Sequence, residues 1–346
     1  AGGATSIDGL SDAIATSGDG GASIGLGTDA VGNTQNYKFN IGLGYRALRN
    51  VTSGTNNVGI GNEPLKTLTT GSKNIGIGYS LGKLTTASGN VGIGYGTLKE
   101  ATTGYDNVAI GLDTLDALTT GYDNIAIGGY TASSMTTAQH NTAVGSGAMF
   151  ACTTGIQNTA IGRLAMYSNT TANYNTAIGA SALQANTTGT NNVAIGRQTM
   201  DANTTASNNT AVGYSALGAN TTGAENSAVG TSSLLDNTTG TRNSAMGYLA
   251  LGNNTTGNDN VAFGRTSLYT NKTGAGNVAL GKDAMDANTT GSNNVAIGID
   301  ALNTNTTASN NVAIGANAMD ANTTGVSNTA VGYISLSANT TGTDNV

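Results

Sequence analysis

Few side chains in this sequence of 346 residues have the chemistry of a catalytic or metal site. His140 is the single histidine, and no cluster of Cys, Asp or Glu accompanies it at metal-ligand spacing. Cys152 is the single cysteine, so no disulfide can form within the chain, and we expect its thiol to be packed rather than reactive. We therefore predict that the chain has no catalytic, cofactor-binding or metal-binding residue.

Glycine pairs and carboxylates are the remaining candidates for chemistry. Gly-x-Gly sequences such as Gly42-Leu43-Gly44 are frequent, but none opens a helix after a strand, as a phosphate-binding loop does. Calcium-binding repeats need an aspartate in register from turn to turn, and here only occasional pairs such as Asp106 and Asp123 fall in consecutive repeats. No carboxylate pair recurs, so the sequence gives no support for glycosidase chemistry.

Composition excludes two classes of partner. The net charge is −6, and the thirteen basic residues are spread over the chain, which argues against nucleic-acid binding. No apolar run approaches the length of a membrane span, so none is predicted. Charged residues make up only 9% of the chain and glycine is abundant, yet apolar residues recur at fixed positions, which a disordered segment would not show.

One sequence unit is repeated along almost the whole chain. The unit that begins Asn192-Val193-Ala194-Ile195-Gly196 begins again at Asn209. Seventeen of the eighteen intervals between opening asparagines are 17 residues long, and the interval from Asn74 to Asn90 is one residue shorter. A repeat this strict predicts one supersecondary unit stacked many times. The opening residues are Asn40, Asn57, Asn74, Asn90, Asn107, Asn124, Asn141, Asn158, Asn175, Asn192, Asn209, Asn226, Asn243, Asn260, Asn277, Asn294, Asn311, Asn328 and Asn345.

We number the repeat 1–17 from its opening asparagine. Positions 2 and 4, mostly β-branched or apolar, flank a Gly or Ala at position 3, which is typical of a short strand. We predict that positions 2 and 4 face inward and position 3 outward. Position 5 is always Gly, which predicts a corner, and position 9 is a second inward apolar row. Because no stretch has room for a helix, the predicted fold is all-β: a parallel β-solenoid (β-roll or β-helix) of about twenty 17-residue coils.

Position 12 holds an apolar residue in the repeats up to Cys152 and an asparagine in every repeat from Asn169 to Asn339. A position that accepts Leu or Asn, but not Lys or Glu, is most simply inward, so we predict an internal ladder of hydrogen-bonded amides there. The Thr row at position 13 would then face outward. The Asn-x-Thr sequons of position 12 would invite glycans in a eukaryotic secretory pathway, but an inward ladder would exclude them. Position 12 is occupied by Val51, Leu68, Leu84, Ala101, Leu118, Met135, Cys152, Asn169, Asn186, Asn203, Asn220, Asn237, Asn254, Asn271, Asn288, Asn305, Asn322 and Asn339.

The sequence divides near residue 22. Residues 1–22 echo the repeat only loosely and are predicted to be an irregular cap or entry segment, whereas residues 23–346 form an uninterrupted rod. The sequence stops at Val346, just inside a new repeat, which indicates a segment of a longer protein or an end that another chain covers. Because one coil buries too few apolar side chains to offset the entropy of ordering its backbone, we expect chains to associate side by side. The small residues at positions 3 and 8 would permit that approach.

The segment Asn294-Val295-Ala296-Ile297-Gly298-Ile299-Asp300-Ala301 resembles the head repeats of YadA-type trimeric autotransporter adhesins. The longer unit, as in residues 175–189, is similar to repeats in tail-fibre proteins of bacteriophages and giant viruses. The resemblance covers residues 23–346 and implies a left-handed coil and a homotrimer. The present repeat is longer than that of the adhesin heads, which enlarges each coil.

The predicted function is structural and non-enzymatic: the shaft or head of an extracellular fibre, of tail-fibre or surface-adhesin type, that presents or forms an attachment element. Its partners would be further copies of the chain and a cell-surface glycan or protein receptor. Tyrosines recur at position 6 and could contact sugars, but the row is broken in most coils, which favours ordinary surface residues. These tyrosines are Tyr45, Tyr79, Tyr95, Tyr214, Tyr248 and Tyr333.

Two alternatives remain open at this point. The stop within a repeat at Val346 is compatible with a filament subunit that stacks end to end with further copies. The Thr row at position 13 has the regular spacing that an ice-binding surface would need.

Overall fold

The computed structural model describes residues 13–18, 21–31 and 39–346. They belong to two compact units, the first within Ala1–Thr171 and the second Ala172–Val346. Residues 1–12 and 19–20 of the predicted cap, and residues 32–38 of the predicted rod, lie outside the described residues, so the division near residue 22 stays a prediction. The described part of the chain contains no helix that could cross a membrane.

The first unit begins with a strand that runs opposite to the others. Strand β1 pairs antiparallel with β2, so that Ala15 lies opposite Ile24. From β2 onward each strand pairs in parallel with the next, up to β10. The strands are β1 (Ala13–Gly18), β2 (Gly21–Leu26), β3 (Ile41–Leu43), β4 (Val58–Ile60), β5 (Ile75–Tyr79), β6 (Val91–Tyr95), β7 (Val108–Ile110), β8 (Ile125–Ile127), β9 (Thr142–Val144) and β10 (Thr159–Ile161).

The second unit contains ten short strands of equal length, and each of them pairs in parallel with the next. They are β11 (Thr176–Ile178), β12 (Val193–Ile195), β13 (Thr210–Val212), β14 (Ser227–Val229), β15 (Ser244–Met246), β16 (Val261–Phe263), β17 (Val278–Leu280), β18 (Val295–Ile297), β19 (Val312–Ile314) and β20 (Thr329–Val331).

The strand register follows the sequence repeat. Paired residues lie one repeat apart, as in Val193 opposite Thr210, and every strand from β2 onward includes positions 2–4 of its coil. The predicted all-β parallel solenoid is therefore confirmed, with about 18 turns. In the shortened coil Ile75 pairs with Val91, and Leu81 still fills the buried slot of position 9. This coil has a single residue, Ser80, between Tyr79 and Leu81, so it lacks position 7.

The predicted orientation of the strand is wrong. Position 3 is buried in each described coil, as at Ala194, whereas Ile195 at position 4 is 37% exposed. The reason is the small interior, which position 9 already fills: a Cβ added to Gly59 would lie 3.2 Å from Leu48 Cγ and 3.0 Å from Ala47 O. Only Gly or Ala fits at position 3, so the branched side chains of positions 2 and 4 face outward.

The proposed approach of chains through positions 3 and 8 is also wrong, because position 8 lies inside as well. Ala182 at position 8 is fully buried beside Leu183 at position 9, which confirms the second apolar row. The inward side chains are those of positions 1, 3, 8, 9, 12 and 15, as the coil from Asn192 to Asn208 shows.

Two kinds of corner close each coil. Gly196 at position 5 has φ +136°, and an added Cβ would lie 2.4 Å from Gly213 O of the next coil, so the predicted glycine corner is confirmed. Positions 7, 9 and 17 adopt left-handed φ with ordinary residues, as at Gln198, Met200 and Asn208. Hydrogen bonds along the stack, such as Gln198 N to Ala180 O at 3.0 Å, hold this backbone in place.

Candidate functional surfaces

Position 12 of the second unit forms the predicted amide ladder. Asn220 Nδ2 donates to Asn203 Oδ1 at 3.0 Å and to Gly223 O at 2.9 Å, and Asn237 Nδ2 donates to Asn220 Oδ1 at 2.8 Å. From Asn186 to Asn322 these side chains are fully buried, so the folded stack has no room for a glycan on them. The apolar residues that occupy position 12 in the first unit are buried in the same slot.

A second ladder, at position 1, was not predicted. Asn107 Oδ1 accepts hydrogen bonds from the backbone N–H of Asn124 at 3.1 Å and from its Nδ2 at 3.0 Å, and Asn107 Nδ2 donates to Gly121 O at 3.0 Å. The opening asparagines from Asn40 to Asn328 are buried. The signal was present in the sequence, since no other residue occupies position 1 from Asn40 onward, but we used that asparagine only to mark the repeat.

Cys152 is buried in the position-12 slot, as predicted. Burial raises the pKa of its thiol to about 12, although a hydrogen bond with the Gly155 backbone opposes the shift. The thiolate is the nucleophilic form of cysteine, so a buried thiol with so high a pKa is unreactive near neutral pH.

His140 belongs to an aromatic and acidic cluster on consecutive coils. Tyr105 stacks on Tyr122 with ring centroids 4.7 Å apart, and the His140 ring meets Tyr122 edge-on at 5.2 Å. His140 Nδ1 lies 3.5 Å from Asp123 Oδ2. Partial desolvation, followed by Tyr122 and the carboxylates of Asp123 and Asp106, raises the pKa of Tyr105. In the described part of the chain no three His, Cys, Asp or Glu side chains converge as metal ligands would.

The aspartates at position 10 remain apart from one another. Asp116, Asp201 and Asp286 are separated by five repeats each, and burial raises the pKa of each carboxyl. One buried carboxylate oxygen of Asp116 and one of Asp286 have no hydrogen-bond partner. These three aspartates are therefore isolated, partly buried acids, and they do not form the carboxylate pair of a glycosidase site.

The outward side chains of positions 2 and 4 form a strand face in each unit: one on β2–β10 and one on β11–β20. No charged residue occupies these positions in any of the nineteen strands. Large apolar side chains on this face are well exposed, notably Ile125, Ile127, Ile161, Ile178, Ile195, Met246, Phe263, Ile297, Ile314 and Val331.

The Thr row at position 13 faces outward only in part. Thr204 is half-buried, and its hydroxyl donates to Thr221 O of the next coil at 3.1 Å. Other hydroxyls of the row make the same bond, as Thr289 does to Thr306 O at 2.9 Å. The exposed row is position 14, which is Thr in every repeat from Asn40 onward except for Ser53.

The structure also gathers basic residues in one region of the first unit. Residues 46–100 contain six Lys or Arg and two Glu, in a chain whose net charge is −6. Lys66, Lys83 and Lys99 surround a depression beside Tyr79. Sequence reasoning missed this cluster because the basic residues were counted over the whole chain. A local count of charge would have found it.

Comparison with protein-family models, with curated proteins and with solved structures gives no match to this chain. The likeness to adhesin heads and tail fibres therefore rests on the repeat motif alone and stays a prediction.

Proposed function

We propose that the chain is a non-enzymatic structural element, the shaft or head of an extracellular fibre of tail-fibre or surface-adhesin type. We further propose that copies associate side by side as a homotrimer through their strand faces. The observation that carries the proposal is the complete absence of charge from positions 2 and 4 of β2–β20.

Neighbouring positions accept charge freely, which makes this absence informative. Arg197 at position 6 follows closely after Ile195, and position 6 also holds Arg163, Arg265 and Lys282. A sheet face in contact with water normally carries polar and charged side chains. Exposed apolar side chains on a face that never carries charge are what a contact between copies requires.

The area of the strand faces suits such a contact. A short strand of this kind with a rise of about 3.3 Å per residue, in coils about 4.8 Å apart, covers roughly 48 Å². The ten strands of the second unit thus provide about 480 Å², and both units together provide about 900 Å² per copy. A stable interface buries about 800 Å² per partner, so the face of each unit can supply about half of one.

The interior supports a mechanical role. The ladder at position 1 and the backbone bonds along the stack join successive coils within each unit, and the ladder at position 12 adds to them in the second unit. In a stack of this kind the hydrogen bonds run between neighbouring coils, so the stability of the stack grows with the number of coils. We expect it to be stiff and resistant to proteases.

The test is the native mass, measured by light scattering on a size-exclusion column. We expect the parent chain to have a mass close to three times 34.1 kDa. Met246 is 51% exposed on the strand face, and Met246→Glu should dissociate the copies because it places charge in the contact. Thr256→Glu, which adds the same charge at the exposed position 14, should leave the mass unchanged. A monomeric parent chain, or a Met246→Glu variant that stays assembled, would contradict the proposal.

Two further functions are kept as alternatives. A filament that stacks end to end would give particles of many lengths in electron micrographs, where a discrete fibre segment gives one length. An ice-binding role is favoured by the exposed threonines at position 14 of each unit, since the hydroxyls of position 13 are bonded within the stack. The absence of thermal hysteresis at high protein concentration would exclude it.

A further inference from the structure

The shortened coil, residues 74–89, lies within the basic region of residues 46–100. It lacks position 7, and its position 10 is Gly82, where the coils on either side carry Lys66 and Lys99. A depression of about 130 Å³ opens here and is lined by Lys66, Tyr79, Gly82, Lys83 and Lys99. This volume is several times that of one water molecule, so it can hold a small polyatomic group.

The depression carries a positive excess. Lys66 Nζ lies 2.8 Å from Glu63 Oε2, and Lys83 is paired with Glu100. Lys99 forms no ion pair within the described ranges of the chain, although its charge acts on Asp116 of the next coil, where burial raises the pKa of the carboxyl and Lys99 opposes that rise. Three lysines therefore line one depression, and none of the carboxylates that interact with them is among the lining residues, which favours an incoming anion.

An aromatic surface lies directly beside the ammonium groups. Tyr79 lines the depression and stacks on Tyr95 with centroids 5.5 Å apart and ring planes 23° apart. Tyr95 is 64% exposed, so its ring offers an apolar platform to a ligand. Lys66 Nζ lies 5.9 Å from the centroid of the Tyr79 ring, which keeps charge and ring within reach of one small ligand.

We infer that this depression binds an anionic saccharide, with a sulfate or carboxylate group among Lys66, Lys83 and Lys99 and a sugar ring against Tyr95. Ammonium groups bind such anions as compact point charges, and aromatic rings pack against the apolar faces of sugars. A polynucleotide fits less well, because it needs a basic stripe that follows many phosphates. The inference deepens the proposed function and rests on it only in placing the ligand outside the cell.

The experiment is isothermal titration of the whole chain with a sulfated dextran oligosaccharide, with uncharged dextran of equal length and with a single-stranded oligonucleotide. Lys99→Gln should lower the affinity for the sulfated ligand about tenfold or more, which is the effect of losing one charged hydrogen bond. Gly82→Met should weaken it similarly by filling the depression. A Cβ at Gly82 meets nothing closer than Lys99 O at 3.7 Å, so this variant should fold normally. Lys272→Gln, an exposed lysine at position 13 of another coil, is the control and should bind unchanged.

Tyr95→Ala separates sugar recognition from simple attraction of charge. This variant should lower the affinity for the sulfated saccharide several-fold while leaving the three ammonium groups in place. Equal binding by Lys99→Gln, Gly82→Met, Lys272→Gln and the parent chain would overturn the inference. So would equal affinity for uncharged dextran, or tighter binding of the oligonucleotide with the same dependence on Lys99.

Native mass measured on the same samples keeps the two proposals apart. A monomer that binds the sulfated saccharide in the predicted variant order would refute side-by-side association and support the ligand. A trimer that binds none of the three probes would support association and refute the ligand.

Discussion

The asparagine ladder at position 1 gives the sharpest prediction of stability. In Asn107→Ala the buried backbone N–H of Asn124 loses its bond to Asn107 Oδ1, and Gly121 O loses its bond from Asn107 Nδ2. A buried polar group left without its partner costs about 1–3 kcal/mol, so the two together cost about 2–6 kcal/mol. That is a large part of the free energy of unfolding of an ordinary domain.

The assay is urea unfolding followed by far-UV circular dichroism, with the exposed Asn62→Ala variant as the control. We expect Asn62→Ala to change the free energy of unfolding by less than about 0.5 kcal/mol. Repeat stacks can open locally, so hydrogen exchange at β7 and β8 should also report faster opening in Asn107→Ala. A loss below about 1 kcal/mol, with unchanged exchange in these strands, would refute the role given to the ladder.

Two further predictions concern ionisable groups that are partly or fully buried. Burial, and then Asp283, raises the pKa of Asp286 in the folded chain, so its contribution to stability is present below the unfolded pKa and is lost as the pH rises through the folded pKa. Asp286→Asn should therefore raise the melting temperature at pH 7 and leave it nearly unchanged at pH 3, and a lower melting temperature at pH 7 would contradict this. Cys152, with its pKa raised to about 12, should react with a thiol reagent at pH 8 only after unfolding in urea, and rapid reaction of the folded chain would contradict its burial.

The stacking of the repeat could be predicted from sequence because it depends on strict periodicity. The constant interval between opening asparagines predicted the coils, the unvarying glycine at position 5 predicted the corner, and the exchange of Leu118 for Asn186 at one position predicted the inward ladder. Each inference used the residue types that never occur at a given position of the repeat, and the structure confirms all three.

The direction of the strand could not be predicted from residue type. So short a strand has no longer alternation to show which side is inside, and β-branched residues suit either face. The volume of the coil interior decides which side chains of the strand face inward. That volume depends on Leu48 and its equivalents at position 9, on the opposite side of the coil. Left-handed backbone at residues such as Met200 was equally hidden, because bonds between coils impose it against local preference.

The lysine site was hidden for a different reason. Lys66 and Lys99 are two repeats apart in the sequence, and only the register of the stack places them on either side of Gly82. The shortened interval from Asn74 to Asn90 marked the place, but without the coil geometry it could be read only as an irregularity.

The central claim is that copies lie side by side through their strand faces, and mass per unit length tests it most directly. A mass of 34.1 kDa over 346 residues gives about 1.7 kDa for each coil, and with coils about 4.8 Å apart one stack has roughly 3.5 kDa per nm. Scanning transmission electron microscopy of unstained particles measures this quantity whether or not the stacks also join end to end. We predict about 10.5 kDa per nm, the value for three stacks side by side. A value of about 3.5 kDa per nm would contradict the claim.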